Sequence, residues 1–403
     1  MPPPAATSRR RVVVTALGVV SPLGHGAVET LASLQAARDC VTPVPRERFD
    51  VNLCRSKTAG QVSLRQGSPL SRKAARLHPA SLLMMEAMQE AMRGDVEFRP
   101  ELMVIGTTSG GMSFGEQFFR AQVSRERPPI RAGWLANYLP QKAVLDAQAA
   151  AGICCPSQII ANACASGTNA VGHAFQLVRA GKHRAILCGG YDVISELVFA
   201  GFDSLQAATQ EKIRPFDRHR SGLVLGEGAA VLALEEMESV RRRGAPILGE
   251  ITGYGISTDN HHLTQPHPSG IGPRLAMQRA LADARRRPEE VHYINAHGTA
   301  TTFNDATEGA AIAEIFGERV PVSSTKSMMG HALGAAGAIE AAFSLIVVQH
   351  QFLPPNIHYA EADPAWRLAI VANAAREARV TCAISNSFGF GGTNASLVVE
   401  RAG

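Results

Sequence analysis

Short runs of aliphatic and β-branched residues alternate along this chain with longer segments rich in Ala and Leu, the pattern of buried strands joined by helices. Residues 102–105 (LMVI) and 185–188 (AILC) read as strands, and residues 80–92 as a helix. Residues 12–14, three consecutive valines, read as a buried first strand. Two stretches share one plan. Residues 158–181 and 293–317 each pass from an apolar strand through a small-residue turn into a helix, which predicts an α/β fold of two pseudo-duplicated halves. The change of halves falls near 241–246, a charged segment with Gly and Pro that follows the apolar strand 229–234. The resulting division is a loose Pro-rich tail at 1–9, a first half at 10–245 and a second half at 246–403.

With 403 residues and 45% hydrophobic composition the chain can bury a large core. Its formal net charge of +5 is dispersed in short clusters such as 9–11 and 241–243. That is too weak for a nucleic-acid footprint, which needs a basic stripe and a reading motif, and it suits an acidic protein partner instead. The seven cysteines show no CxxC and no regular spacing, which argues against a disulfide framework and against a metal site and favours a reducing cytoplasm. Arginines at 9–11 followed by an apolar run imitate an export signal, but Gly18, Ser21, Pro22 and Gly24 break the run early and no small-x-small cleavage site follows. No stretch reaches an uninterrupted membrane span, because Glu340 divides the best candidate, 335–348.

Candidate chemistry lies at four turns. The strand 157–162 ends in Ala163, Cys164, Ala165, Ser166 and Gly167, after which Val171, Phe175 and Val178 form a helical stripe that stops at Gly181. Cys164 thus sits at a strand-to-helix turn, where free backbone N–H groups and the helix dipole stabilise a thiolate and lower the thiol pKa. The same context suits a buried structural cysteine, as expected for Cys154, Cys155, Cys188 and Cys382, so local sequence leaves both readings open. The strand 291–295 delivers His297 into NAHGTAT (295–301), where Gly298 permits a tight turn and two threonines offer hydroxyls. His331 lies in KSMMGHALGAAGAIE (326–340), at the start of a helix so rich in Gly and Ala that another backbone must pack against it. Either histidine alone could be structural. A cysteine at a helix start with two histidines at Gly-rich turns is, however, how a composite thiol site assembled from distant segments looks. Finally, NSFGFGGTN (386–394) follows the strand 381–385, and Gly389, Gly391 and Gly392 allow positive φ and backbone N–H groups facing an anion; a plain hairpin would read the same way.

These four elements in this order resemble the β-ketoacyl synthase family of the thiolase superfamily, and especially the synthases that elongate chains in dissociated bacterial fatty acid synthesis. The likeness spans nearly the whole chain and includes VVVTALGVVSPLG (12–24), LSRKAARLHP (70–79), RPFDRHRSGLVLGEGAA (214–230) and ITGYGISTDNHHLTQP (251–266). It implies a thiolase-like fold with a layered αβαβα core. It implies that Cys164 takes an acyl group from an acyl carrier protein and that His297 and His331 hold a malonyl thioester carbonyl, with Lys326 and Glu340 as an ion pair fixing His331. Phe390 resembles the family's gating aromatic, flanked by Gly389, and its N–H with that of Cys164 resembles the oxyanion hole. Thr299 and Thr301 match the threonines that contact the pantetheine arm, with Thr264 as a third. In the loop 106–114, Ser109, Gly110 and Met112 match the family segment beside the acyl pocket, and their modest size leaves room for a chain beyond acetyl. Arg72 and Lys73 match the basic rim that meets the acidic carrier. One departure is Ser221, where the family carries Asp, which bears on local loop packing.

Both histidine positions are filled, unlike relatives that carry asparagine at the second, and Cys164 sets the chain apart from partner subunits that lack the nucleophile. The resemblance therefore implies decarboxylative condensation in fatty acid elongation, without nucleic acid, membrane, metal or cofactor. A ketosynthase of an aromatic or aryl-polyene polyketide pathway carries the same motifs. A homodimer is expected, with a heterodimer containing a noncatalytic subunit as the alternative.

Overall fold

The computed structural model describes residues 9–63, 77–93, 97–124 and 132–403. The strands along its main sheet are β1 Val12–Ser21, β2 Leu102–Gly106, β3 Ser157–Ile160, β4 Ala185–Asp192, β5 Gly228–Glu236, β6 Gly249–Thr258, β7 Tyr293–Asn295, β8 Pro321–Ser323, β9 Ala369–Ile370, β10 Cys382–Gly389 and β11 Thr393–Glu400. The principal helices are α1 Pro79–Ala91, α2 Met112–Val123, α3 Gln141–Ala151, α4 Ser166–Arg179, α5 Glu196–Ser204, α6 Ile271–Ala284, α7 Thr302–Phe316, α8 Lys326–Met329 and α9 Ala336–His350. Expected strands at 102–105, 185–188 and 229–234 fall inside β2, β4 and β5, and the helix expected at 80–92 is α1. His78 caps α1 by accepting the N–H of Ala80, and Pro79 occupies the first helical position, where its missing donor costs nothing.

Hydrogen bonding orders the strands β9-β8-β7-β10-β11-β6-β1-β5-β4-β2-β3. Each half repeats one plan. In the first, β2 lies parallel to β3 and to β4, and β4, β5 and β1 continue antiparallel. In the second, β7 lies parallel to β8 and to β10, and β10, β11 and β6 continue antiparallel. The two meet where Val12, Val13 and Val14 of β1 pair with Ile251, Glu250 and Gly249 of β6. The duplication differs in one respect from the sequence expectation. The segment that mirrors β3, Cys164 and α4 is β8, His331 and α9, not 293–317, because β8 lies parallel beside β7 on the side away from β10, as β3 lies beside β2, and α9 shares the central layer with α4.

Strand side chains alternate between two cores. From β2, Leu102 and Val104 face inward onto Ala170, Val171 and Phe175 of α4 and Ala338, Ile339 and Phe343 of α9, while Met103 and Ile105 face α1 and α3. Tyr293, Ala383, Leu397 and Val399 close the inner core from the second half, whereas Ile294, Ile384 and Val398 pack outward on α6 and α7. The layers are therefore helices, sheet, the α4 and α9 pair, sheet, helices, which is the αβαβα arrangement. The two central helices approach closely: a Cβ at Gly167 would lie 2.7 Å from the backbone nitrogen of Ala338. The apolar segment 333–350 is long enough to cross a membrane, yet 89% of it is buried in this middle layer. Cys188 and Cys382 are buried as expected. Cys154 is exposed and Cys155 half-buried, in the loop between α3 and the edge strand β3.

Candidate active site

Cys164 lies one turn past β3, buried at 6% exposure, immediately before α4. The approach to it is strained: Ala163 has φ +55°. Its carbonyl accepts hydrogen bonds from Ser166 Oγ at 2.6 Å and from Thr108 Oγ1 at 3.0 Å, and Ser166 Oγ also accepts the N–H of Asn162. The backbone N–H groups of Phe390 and of Cys164 itself both face the sulfur. The sequence predicts a lowered thiol pKa at this helix start, but the structure reverses that. Burial pushes the Cys164 thiol up to about 11, against the opposing pull of the Lys326 charge and the two N–H groups. Desolvation wins because the first helical turn and the hairpin bearing Phe390 exclude water from the sulfur.

His297 sits just after β7, where its N–H and that of Gly298 donate to the two oxygens of Glu308, each at 2.8 Å. Glu308, fully buried on α7, also accepts from Asn386 Nδ2 at 3.2 Å, and burial pushes its carboxyl up to about 7. His331 does not begin a helix. It lies between α8 and α9 in a backbone bridge in which its N–H donates to the Val224 carbonyl at 2.7 Å and its own carbonyl accepts from Gly226 at 2.8 Å. α9 starts five residues later, at Ala336. The two imidazoles meet edge to face with ring centroids 5.2 Å apart. Neither ring nitrogen of His331 and not the Nδ1 of His297 has a hydrogen-bond partner among the described residues. Burial first, and then the Lys326 charge, hold both rings well below the ordinary histidine pKa. Both are neutral at pH 7 and each carries an N–H to donate.

Lys326 Nζ and a Glu340 oxygen form an ion pair with both side chains almost fully buried. Burial raises the Glu340 carboxyl and Lys326 draws it back. The pair makes no hydrogen bond to the His331 ring, whose place is set by its backbone.

A cavity of about 180 Å³ is lined by Cys164, His297 and His331 together with Thr264, Thr299, Thr301, Gly389 and Phe390. Thr299 and Thr301 share a hydroxyl contact of 2.9 Å. Phe390 stacks on Phe202 of α5 with centroids 5.5 Å apart. Gly391 and Gly392 adopt positive φ in the hairpin between β10 and β11, but Gly389 does not. A Cβ at Gly389 would lie 2.8 Å from Thr393 Oγ1 and 3.1 Å from the Cys164 nitrogen, so glycine is needed there for space. Ser221 also lines the cavity and shares a 2.6 Å hydroxyl contact with Thr209.

Not every expected site residue converges. Ser109, Gly110 and Met112 are not among the residues lining this cavity. Ser109 is turned instead to Asp192, to which it donates from both N and Oγ, and Gly110 N donates to the same oxygen. Arg72 and Lys73 lie outside the described residues. Sequence reasoning missed Glu308 and Asp192. Each had a signal, a carboxylate among Ala and Gly residues on a helix or at the end of a strand with no other charge. Among the described residues no group of three His, Cys, Asp or Glu side chains is arranged to hold a metal.

The chain matches the family model "Beta-ketoacyl synthase, N-terminal domain" over residues 9–239 and "Beta-ketoacyl synthase, C-terminal domain" over 248–360. It is 36% identical over 421 aligned positions to the 3-oxoacyl-[acyl-carrier-protein] synthase 2 of Synechocystis sp., covering 98% of this chain and 99% of that protein. It is also 36% identical to the enzyme of the same name from Staphylococcus aureus over 415 positions, with the same shares covered. Among solved structures it is similar to the ishigamide ketosynthase/chain length factor, with TM-score 0.90, 33% identity, and 98% of this chain and 100% of that one covered. A ketosynthase in complex with its chain length factor from Xenorhabdus doucetiae matches with TM-score 0.84 and 27% identity over 98% of each chain.

Proposed function

The chain belongs to the β-ketoacyl synthase family, and on that premise we propose that Cys164, His297 and His331 carry out decarboxylative Claisen condensation on carrier-bound substrates. The Cys164 sulfur, losing its proton as it attacks, displaces the thiol of an acyl carrier protein and keeps the acyl group as a thioester. Malonyl carrier then enters, its pantetheine arm running past Thr299, Thr301 and Thr264. The bond between the malonyl Cα and its carboxylate breaks, CO2 leaves, and the electron pair becomes an enolate whose oxygen accepts N–H bonds from the two neutral imidazoles. The carbanion carbon attacks the acyl carbonyl on Cys164. The N–H groups of Cys164 and Phe390 stabilise the oxyanion, and collapse expels the Cys164 thiolate and gives β-ketoacyl carrier protein. No cofactor enters this balance.

One observation carries the reading: a buried cysteine and two uncharged histidines with unpaired ring nitrogens line the same cavity, although the sequence separates the cysteine from either histidine by more than a hundred residues. Lys326 and Glu340 supply a fixed charge pair beneath that site, and the Lys326 charge helps keep both rings neutral.

The carrier is acidic by family resemblance, and Arg72 and Lys73 are assigned to its docking rim. The working unit is a dimer, in keeping with the edge position of β3 and the exposed apolar side chains of Phe119, Val123, Tyr138 and Leu139. The compartment is the cytoplasm, which suits seven unpaired cysteines. Fatty acid elongation is the primary pathway. The similarity to ketosynthase/chain length factor structures favours a second reading, a polyketide or polyene ketosynthase with a noncatalytic partner. Incubation with acyl carrier proteins of graded acyl length, followed by intact-mass measurement and an elongation assay, tests both. An acyl adduct on Cys164 is expected, and no adduct with any primer overturns the mechanism. The primer elongated fastest assigns the pathway.

A further inference from the structure

Asp192 ends β4 fully buried, and its carboxylate is the meeting point of the two catalytic turns. Its Oδ1 accepts from Thr107 Oγ1 (2.8 Å), Ser109 N (2.8 Å), Ser109 Oγ (2.9 Å) and Gly110 N (3.1 Å). Its Oδ2 accepts from Thr108 N (2.9 Å) and from Gly334 N (2.6 Å). Thr108, held in this way, reaches the carbonyl of Ala163 with its hydroxyl at 3.0 Å. Gly334 lies three residues after His331.

Both turns carry backbone strain next to the reacting groups. Ala163, before Cys164, has φ +55°, and Leu333, two residues after His331, has φ +51°. Side-chain-bearing residues hold that conformation only when their surroundings impose it. The His331 ring has no hydrogen bond of its own, so backbone anchors must place it. One anchor is the bridge to Val224 and Gly226. The other is the bond from Gly334 to Asp192.

We propose that Asp192 is a positioning residue for the condensation, using one oxygen to hold the His331 turn and, through Thr108, fixing the Cys164 turn in register with it. The proposal rests on the roles given above to Cys164 and His331. It requires two acceptor oxygens with no proton between them and their donors, which a carboxylate supplies and an amide does not.

One arm can be removed without the other. Asp192→Asn preserves shape. With its carbonyl oxygen on the side that receives four donors, its NH2 faces the N–H groups of Thr108 and Gly334, so the His331 turn loses its anchor and Thr108 loses the bond that aims it at Ala163. Thr108→Val keeps the backbone N–H to Asp192 and removes only the hydroxyl on Ala163, at an exposed residue where folding is not at stake. The half-reactions are read separately: acylation of Cys164 by a short acyl-pantetheine, followed by intact mass, and CO2 release from malonyl-pantetheine with Cys164 alkylated. Asp192→Asn should lower CO2 release roughly a hundredfold, the effect of a misplacement near 1 Å, and acylation roughly tenfold, because Thr108 loses its anchor as well. Thr108→Val should lower acylation roughly tenfold and leave CO2 release intact. A fall in CO2 release in Thr108→Val, unchanged acylation in Thr108→Val, or an unchanged rate of either half-reaction in Asp192→Asn overturns the proposal. Should Asp192→Asn fail to fold, the Thr108→Val result decides alone. A parent enzyme inert in both assays would instead overturn the proposed function.

Discussion

Replacing Lys326 with methionine removes a buried ammonium and strands Glu340, which is 2% exposed and has one oxygen already without a partner. Breaking a buried pair by removing one member costs about 3–5 kcal/mol. The cost should depend on pH, and the sign follows from Glu340. Burial lifts its carboxyl from the ordinary 4.5 to about 7 even with Lys326 present, and further without it. An acid with a raised folded-state value binds its proton more tightly folded than unfolded. Stability is therefore lost as pH climbs from 4.5 through the folded value, at about 1.4 kcal/mol per unit. Lys326→Met should be mildly destabilised at pH 6, where Glu340 takes up a proton, and carry its full loss at pH 9. With an unfolding entropy of about 2.1 cal/mol/K per residue over 403 residues, that loss lowers Tm by roughly 4–6 °C. Lys326→Met combined with Glu340→Met should return close to the parent Tm at both pH values. Scanning calorimetry of the parent, both single variants and the double variant supplies the cycle. Equal losses at pH 6 and pH 9, or a double variant as unstable as the sum of the singles, would refute the reasoning.

His297→Ala or His331→Ala should retain Cys164 acylation while condensation falls by a factor of about 100 to 1000, the worth of one donor to a developing oxyanion; full condensing activity in either would overturn its role. Gly389→Ala places a methyl against Thr393 and the Cys164 nitrogen, so acylation should slow by roughly a hundredfold with little change in Tm, measured by stopped-flow acyl transfer. Because burial raises the Cys164 thiol to about 11, the thiolate fraction rises with pH throughout the neutral range, and alkylation by iodoacetamide should accelerate about tenfold per pH unit from 7 to 10. A rate that is flat above pH 8 would show an already ionised thiol. Both imidazoles are held well below 6.5, so CO2 release from malonyl-pantetheine should show no acid limb near pH 6.5; a tenfold fall per unit beginning there would mean that one of them titrates normally.

The sequence by itself determined the layered α/β fold and the strands and helices that alternation and period reveal, and it singled out Cys164, His297, His331, Lys326 and Glu340 as candidates, because each signal is local to its own turn or helix. It also placed Thr299, Thr301, Phe390 and Gly389 around one chemistry through their motifs. Tertiary structure alone decided the rest. A helix start predicted an acidic thiol at Cys164, yet segments more than two hundred residues away bury the sulfur, and desolvation outweighs the local dipole. The Gly- and Ala-rich run after Lys326 predicted a helix at His331, but a backbone bridge to Val224 and Gly226 holds that residue extended, a 3-10 turn follows at Leu333–Ala335, and the α-helix begins only at Ala336. Ser109 turns from the cavity because Asp192, distant in sequence, offers its hydroxyl and N–H a buried acceptor. Periodicity reports which face of an element is apolar. Which buried charge meets which turn depends on how the two halves pack, and no local pattern carries that.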